Sequence, residues 1–199
     1  AFHVAELLGR TEHGECEPHE PALLRLLTPL AKLWTAKVSI RVVSEAIECF
    51  GGAGYIEDTG LPQLLRDAQV YAIWEGTTNV LSLDMLRTLS SGIVPLRHAI
   101  GGLLPAGESR ERRAIVAALD ATESLLGEIV ADRASLEASA RGIAYTLART
   151  MAAALLVRAA DWGDAAGDPR PRAACRRFIE RGLDRLALPA NEDDALLAG

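Results

Sequence analysis

Apolar residues recur along this chain at intervals of three and four, the spacing that lines one face of an α-helix, and strand-like alternation is almost absent. Residues 1–10 carry Phe2, Val4, Leu7 and Leu8 and read as the end of a helix. Because the chain opens inside that pattern, it is expected to be a piece of something longer. Residues 11–19 (TEHGECEPH) form a polar loop. Pro21 suits a helix start, Leu23, Leu24, Leu26 and Leu27 follow at helical spacing, and Pro29 is expected to break or restart the helix. A long helix is predicted over about 30–50, with Leu33, Val38, Ile40, Val43, Ala46 and Ile47 near one side. Gly51 and Gly52 end it, as glycine does at helix C-termini. After a loop over 53–60, Pro62 opens a short helix to Ala68, and residues 69–75 form an apolar connector. Thr77 or Thr78 caps the next helix, whose core face is Val80, Leu83, Leu86 and Leu89.

Gly92 and Pro95 mark a junction. It divides the chain into a helical bundle over 1–91 and a helical C-terminal extension over 92–199, an all-α fold throughout. The extension is predicted to hold helices near 96–104, 108–131, 134–161 and 171–187, with a loop over 163–169 and an acidic, frayed tail over 191–199.

Composition narrows the function classes. Apolar residues make up 49% of the chain and charged ones 24%, which suits a packed globular core. The net charge is −6, so no global basic field favours nucleic acid. Residues 1–96 carry 7 basic and 12 acidic groups. Residues 97–199 carry 14 and 15, all the basic ones arginine, so any basic face belongs to the second half. Cys16, Cys49 and Cys175 are far apart and form no CxxC, which points to a reducing, cytoplasmic setting. No apolar run approaches the ~18 residues of a membrane crossing, so no membrane span and no membrane partner are expected.

Two places carry candidate chemistry. Glu75 follows Tyr71, Ala72, Ile73 and Trp74, a run expected to be buried, and a carboxylate desolvated against Trp and Ile binds a proton more tightly, as a general base must. Gly76 lets a substrate approach the backbone, and the N–H groups of the following helix favour a developing anion. The plain alternative is an acid stabilising a helix N-terminus. Gly51-Gly52-Ala53-Gly54 lacks the GxGxxG spacing and follows a helix, so a dinucleotide fingerprint fails. It is either a helix cap with a tight turn or a backbone surface that touches a pyrophosphate.

Taken in order, three elements resemble the signature region of the acyl-CoA dehydrogenase superfamily over Ala36 to about Arg87. They are Glu48-Cys49-Phe50-Gly51-Gly52-Ala53-Gly54-Tyr55, Arg66-Asp67-Ala68 and Trp74-Glu75-Gly76-Thr77. The resemblance implies a C-terminal four-helix-bundle region, FAD as cofactor, an acyl-CoA thioester as substrate and a homo-oligomer, dimer or tetramer. It implies Glu75 as the base that removes the acyl α-proton while the β-hydride goes to the flavin. The backbone at Glu75 would bond the thioester carbonyl and Gly76 would line the substrate. Thr77, Thr78 and Asn79 would contact the flavin or its phosphates. Glu48, Cys49, Phe50, Gly51 and Gly52 would hold the ADP half of a neighbouring subunit's FAD. Two residues depart from the pattern: Glu48 stands for the usual Gln, and Trp74 for the commoner Tyr. With the long extension, the Trp-Glu-Gly form resembles the AidB-like, alkylation-response branch, whose members are associated with DNA. Without the family's upstream domains, this chain is expected to be inactive alone and to bind FAD weakly or not at all.

Arg177, Arg181 and Arg185, at i, i+4 and i+8, would form one stripe of a helix able to lie along phosphates, or else a solvated face pairing with Glu180 and Asp184. His13, Cys16 and His19 read as a solvated loop, and no metal is expected. Two other function classes stay open: a non-catalytic nucleic-acid binding or protective protein, and an oligomerisation module.

Overall fold

The computed structural model describes residues 1–89 and 92–186. The described residues form helices and turns, with no strand among them. The helices are α1 (Phe2–Glu12), α2 (Glu20–Glu48), α3 (Leu61–Val70), α4 (Thr78–Thr88), α5 (Val94–Leu103), α6 (Arg110–Ile129), α7 (Arg133–Ala165) and α8 (Arg170–Glu180). The all-α reading holds. The acidic tail expected over 191–199 lies outside the described residues.

Pro29 does not break its helix. α2 runs through it, although proline has no N–H to give the Arg25 carbonyl. Leu23, Leu26, Leu27, Leu30 and Leu33 flank it on one buried stripe. Each contributes about 1.5–3 kcal/mol by leaving water, which outweighs the roughly 3 kcal/mol of an interior proline. At the start of α2, Glu20 is only 7% exposed. It accepts a hydrogen bond from the Glu17 N–H at 2.8 Å and pairs with Arg10 at 3.2 Å, which offsets its burial.

α7 is the centre of the molecule. It packs against α2, α4, α5, α6 and α8, so the core continues across the junction near residue 92. Asp132 caps it, accepting from the Ala134 N–H at 3.1 Å, and Ser109 caps α6 from the Arg112 N–H at 3.0 Å. α7 is also long and apolar enough to cross a membrane by length and composition, which the expectation of no such segment overlooked. Here 67% of its most apolar window is buried inside the fold. α8 approaches α7 closely at Gly163, where an added Cβ would stand 2.8 Å from a Pro171 ring carbon.

In α4 the buried positions are Ser82 and Met85, with Leu81, Leu86 and the C-cap Leu89 packed partly against the core. Val80, expected on that face, is exposed. Beyond Ala36, α2 buries no residue fully. Its second half, the glycine turn and the 71–74 turn each carry exposed apolar side chains, among them Val42, Phe50, Tyr55, Ile73 and Trp74.

Candidate functional site

The glycine cluster is built by the end of α2. The Cys49 and Phe50 N–H groups donate to the Glu45 and Ile47 carbonyls at 3.2 and 3.0 Å. Gly51 then turns with φ of 56°, a left-handed value that suits glycine. Gly51–Gly54 forms a short 3-10 turn. Gly54 is buried, and a Cβ there would fall 2.2 Å from the Ile47 carbonyl oxygen. A Cβ on Gly51 or Gly52 would meet nothing within 4 Å. Glu48, Cys49, Phe50, Gly51 and Gly52 are all exposed. Arg66, of the Arg-Asp-Ala element, grips Glu57 with two hydrogen bonds of 3.0 and 2.9 Å and so ties the loop after the cluster to α3. Those bonds hold the Glu57 carboxylate below the usual range.

The second element follows α3. The Ala72, Ile73 and Trp74 N–H groups donate to Gln69 and Val70 carbonyls, so residues 71–74 continue as helical turns. Lys32, on α2, clamps them: its ammonium donates to the Tyr71 carbonyl at 2.5 Å and the Trp74 carbonyl at 3.1 Å. Glu75 follows with φ of 56°, alone among the described non-glycine residues in having positive φ. Gly76 continues at φ 111°, and a Cβ there would press on Leu81 at 3.0 Å. Thr77 holds the N-cap position of α4, as expected, but its side chain makes no capping hydrogen bond. The first-turn N–H groups beside Thr78 and Asn79 therefore lack that partner.

The expected burial before Glu75 is corrected. Tyr71, Ile73 and Trp74 are 50%, 64% and 54% exposed, and Glu75 is exposed too. Lys32 ties the 71–74 turn to α2, and the side chains of Tyr71, Ile73 and Trp74 stay at least half exposed. What the structure does provide is a hollow of about 410 Å³ lined by Lys32, Thr35, Ala36, Ser39, Tyr71, Trp74 and Glu75. Glu75 thus shares one concavity with a cation, two hydroxyls and two aromatic rings. The glycine cluster does not line it. From Ser39 to Glu48, α2 rises roughly 13 Å, which separates the two elements along the helix. Lys32 and the left-handed Glu75 escaped the sequence reading: a lysine on an amphipathic helix looks like a solvated residue, and φ leaves no mark in a Trp-Glu-Gly string.

The arginine stripe is not formed. α8 ends at Glu180, not near residue 187, and Gly182 takes a left-handed φ of 75° that a helix cannot continue through. Arg177 lies on the helix, Arg181 caps it, and Arg185 lies beyond the break with its guanidinium on the Arg181 and Asp184 carbonyls. Glu180 pairs with Arg110 at 3.4 Å rather than with Arg177. Among the described residues, no His, Cys, Asp and Glu group of metal-binding form occurs.

Two family models match the chain: the acyl-CoA dehydrogenase C-terminal domain over residues 3–90, and the acyl-CoA dehydrogenase 11 C-terminal domain-like family over residues 108–194. The Caenorhabditis elegans acyl-CoA dehydrogenase family member 11 is 40% identical over 195 residues, covering 92% of this chain and 32% of that protein. The Escherichia coli putative acyl-CoA dehydrogenase AidB is 41% identical over 83 residues, covering 42% of this chain. A crystal structure of C. elegans ACDH-11 in complex with C11-CoA superposes with a TM-score of 0.84 at 40% identity, over 94% of this chain and 33% of that one. The apo form of Bd2924 gives 0.64 at 45% identity, over 79% of this chain and 29% of that one. The chain spans about a third of the length of the C. elegans relative. The likeness of its extension is to the acyl-CoA dehydrogenase 11 type, whereas the AidB match stops at less than half of the chain.

Proposed function

The chain belongs to the C-terminal region of the acyl-CoA dehydrogenase superfamily, and on that footing we propose that it bears the catalytic base of an FAD-dependent dehydrogenase acting on acyl-CoA thioesters. One observation carries the reading: Glu75 is held in a left-handed backbone at a hollow between α2 and the 71–74 turn. Strain of this kind is kept where the surroundings over-determine it, and functional sites are where it gathers. Glu75 takes the α-proton of the acyl group. The backbone at Glu75 donates to the thioester carbonyl and stabilises the charge that develops there as the proton leaves. Gly76 lets the thioester approach.

The residues fit the cofactor on two counts. Gly51 and Gly52 leave an open backbone surface that a Cβ would narrow, and α4 presents uncapped N–H groups beside Thr77, Thr78 and Asn79. Bound FAD supplies the acceptor for the hydride that leaves the β-carbon. Thr77, Thr78 and Asn79 contact the flavin of the same site, and Glu48 to Gly52 the ADP half of one held by a neighbouring subunit. The separation of the two elements along α2 suits two different flavins. Glu48, in place of an amide, brings a negative charge to that contact and weakens it. The exposed apolar side chains of α2 and the 71–74 turn suit coverage by a neighbouring subunit or by the remainder of a longer chain, so a homo-oligomer in a cytoplasmic setting is part of the proposal. Residues 1–91 act as the flavin-facing region and 92–199 as an extension that braces it through α7.

The 199-residue chain alone is inactive and retains FAD weakly or not at all; quantitative flavin retention through purification would contradict this. The DNA-associated alternative loses its motive with the arginine stripe and with the extent of the AidB match. The test of the main reading uses a chain extended upstream to the length of the relatives, with and without Glu75→Gln. Each is mixed anaerobically with a panel of acyl-CoAs. Flavin bleaching by the first and not by the variant supports the reading. Flavin bound but bleached by none of the panel overturns it.

A further inference from the structure

A second hollow, of about 470 Å³, opens between α2, α3 and α7, with the chain after α8 at its rim. It shares no lining residue with the Glu75 hollow. Five of its ten lining residues are cationic (Lys37 and Arg41 from α2, Arg141 and Arg149 from α7, and Arg185), and none is acidic. Elsewhere the arginines that reach across elements find carboxylates: Arg25 holds Asp84, Arg97 holds Asp120 and Glu123, and Arg172 holds Asp161 and Asp164. Among the described residues, none of the five has a carboxylate within ion-pair distance.

The floor of this hollow is fixed. Arg149 is 8% exposed; its Nε and Nη2 donate to the Gly182 carbonyl at 3.0 and 2.7 Å, and its guanidinium lies 5.3 Å from the Trp34 ring centre and 4.7 Å from that of Phe178. Arg185 is anchored as well. Its backbone N–H donates to the Thr146 hydroxyl at 2.8 Å, and Nη2 donates to the Arg181 carbonyl at 2.9 Å. Burial, and after it the charges of Arg185, Arg181 and Arg41, push the Arg149 pKa down. A guanidinium stays protonated inside proteins, so this mutual repulsion is not relieved by loss of a proton. A concavity lined by one sign of charge concentrates counter-ions, and one built on anchored guanidinium groups is preorganised for oxygen-rich anions such as phosphate.

We propose that this hollow binds a phosphate-bearing anion. Arg41, Arg141, Arg185 and Lys37 take the phosphate oxygens above the fixed charge of Arg149. The volume exceeds that of a lone phosphate and suits a polyphosphate chain, either bare or carried by a nucleotide whose ring lies against Trp34 or Tyr145.

The test is isothermal titration of the 199-residue chain with tripolyphosphate and with ATP, at low and raised chloride, beside an Arg41→Gln/Arg141→Gln double variant. Both side chains are exposed, and circular dichroism checks that the variant folds; Lys37→Gln gives a second, milder variant. The expected result is saturable one-to-one binding of a probe, weakened at least about tenfold in the double variant by the loss of two charge-assisted contacts, and weakened again by salt. Tighter binding of ATP identifies a nucleotide, and equal binding identifies the polyphosphate chain itself. No saturable binding of either probe overturns the proposal, and so does binding that the double variant leaves unchanged. Saturation by a short DNA duplex but by neither small probe overturns it in favour of an extended nucleic-acid face.

Discussion

At Glu75 the backbone states a preference that the side chain resists. A non-glycine residue at φ of 56° costs roughly 1–2 kcal/mol, and glycine there costs little. Glu75→Gly is therefore expected to hold or raise stability by up to about 1 kcal/mol, while Glu75→Ala keeps the strain and gains nothing. Urea midpoints of the two variants against the parent chain check this. A fold that needs the carboxylate would instead lose stability in both. The residue itself was legible, because the Trp-Glu-Gly-Thr string singles it out. Its exposure was not, since the burial of residues 71–74 depends on what packs over them. Lys32 was invisible for the converse reason: its role lies in two carbonyls some forty residues away. Lys32→Met is expected to cost about 0.5–1.5 kcal/mol and to speed amide exchange over residues 71–76.

At the scale of elements, periodicity found the helices, and two of their ends show where it stops. Pro29 lies inside α2 because the buried leucines on either side outweigh one missing hydrogen bond, a balance that single-residue rules cannot strike. Gly182 ends α8 although Arg177, Arg181 and Arg185 keep helical spacing across it; a glycine among arginines was the only sign. The glycine turn separates its own residues by role. Gly54→Ala is expected to cost 2 kcal/mol or more, in the manner of an overpacked core, since its Cβ would collide with the Ile47 carbonyl. Gly52→Ala has open space and is expected to leave stability within about 0.5 kcal/mol, while weakening flavin retention in the longer, assembled protein. Thermal unfolding of both variants reads the first effect, and bound-flavin absorbance the second. If Gly52→Ala leaves flavin retention unchanged, the turn is only a cap.

For the whole molecule, acid is the informative stress. Hydrogen bonds from Arg25 hold the Asp84 carboxylate below its usual range, those from Ser135 and nearby N–H groups do the same for Asp132, and those from Arg170 for Asp168. A carboxylate held low in the folded chain stabilises it above the unfolded pKa, and that contribution is lost as pH falls through the folded value. Stability is expected to stay level above pH ~5 and to fall below about pH 4, with a shallower fall in Asp84→Asn. Urea midpoints from neutral pH to pH 3 check the sign. The fold class was legible throughout, and so was the order of the three signature elements. What the sequence did not disclose is that α7 joins both halves into one core, a long-range fact of packing. The central claim is that Glu75 is the base, and its most direct test is α-proton exchange. The upstream-extended protein and its Glu75→Gln variant are each incubated with an acyl-CoA in D₂O, and deuterium at the α-carbon is followed by mass spectrometry. The account predicts exchange with the first and none above background with the variant. Equal exchange by both would place the base elsewhere.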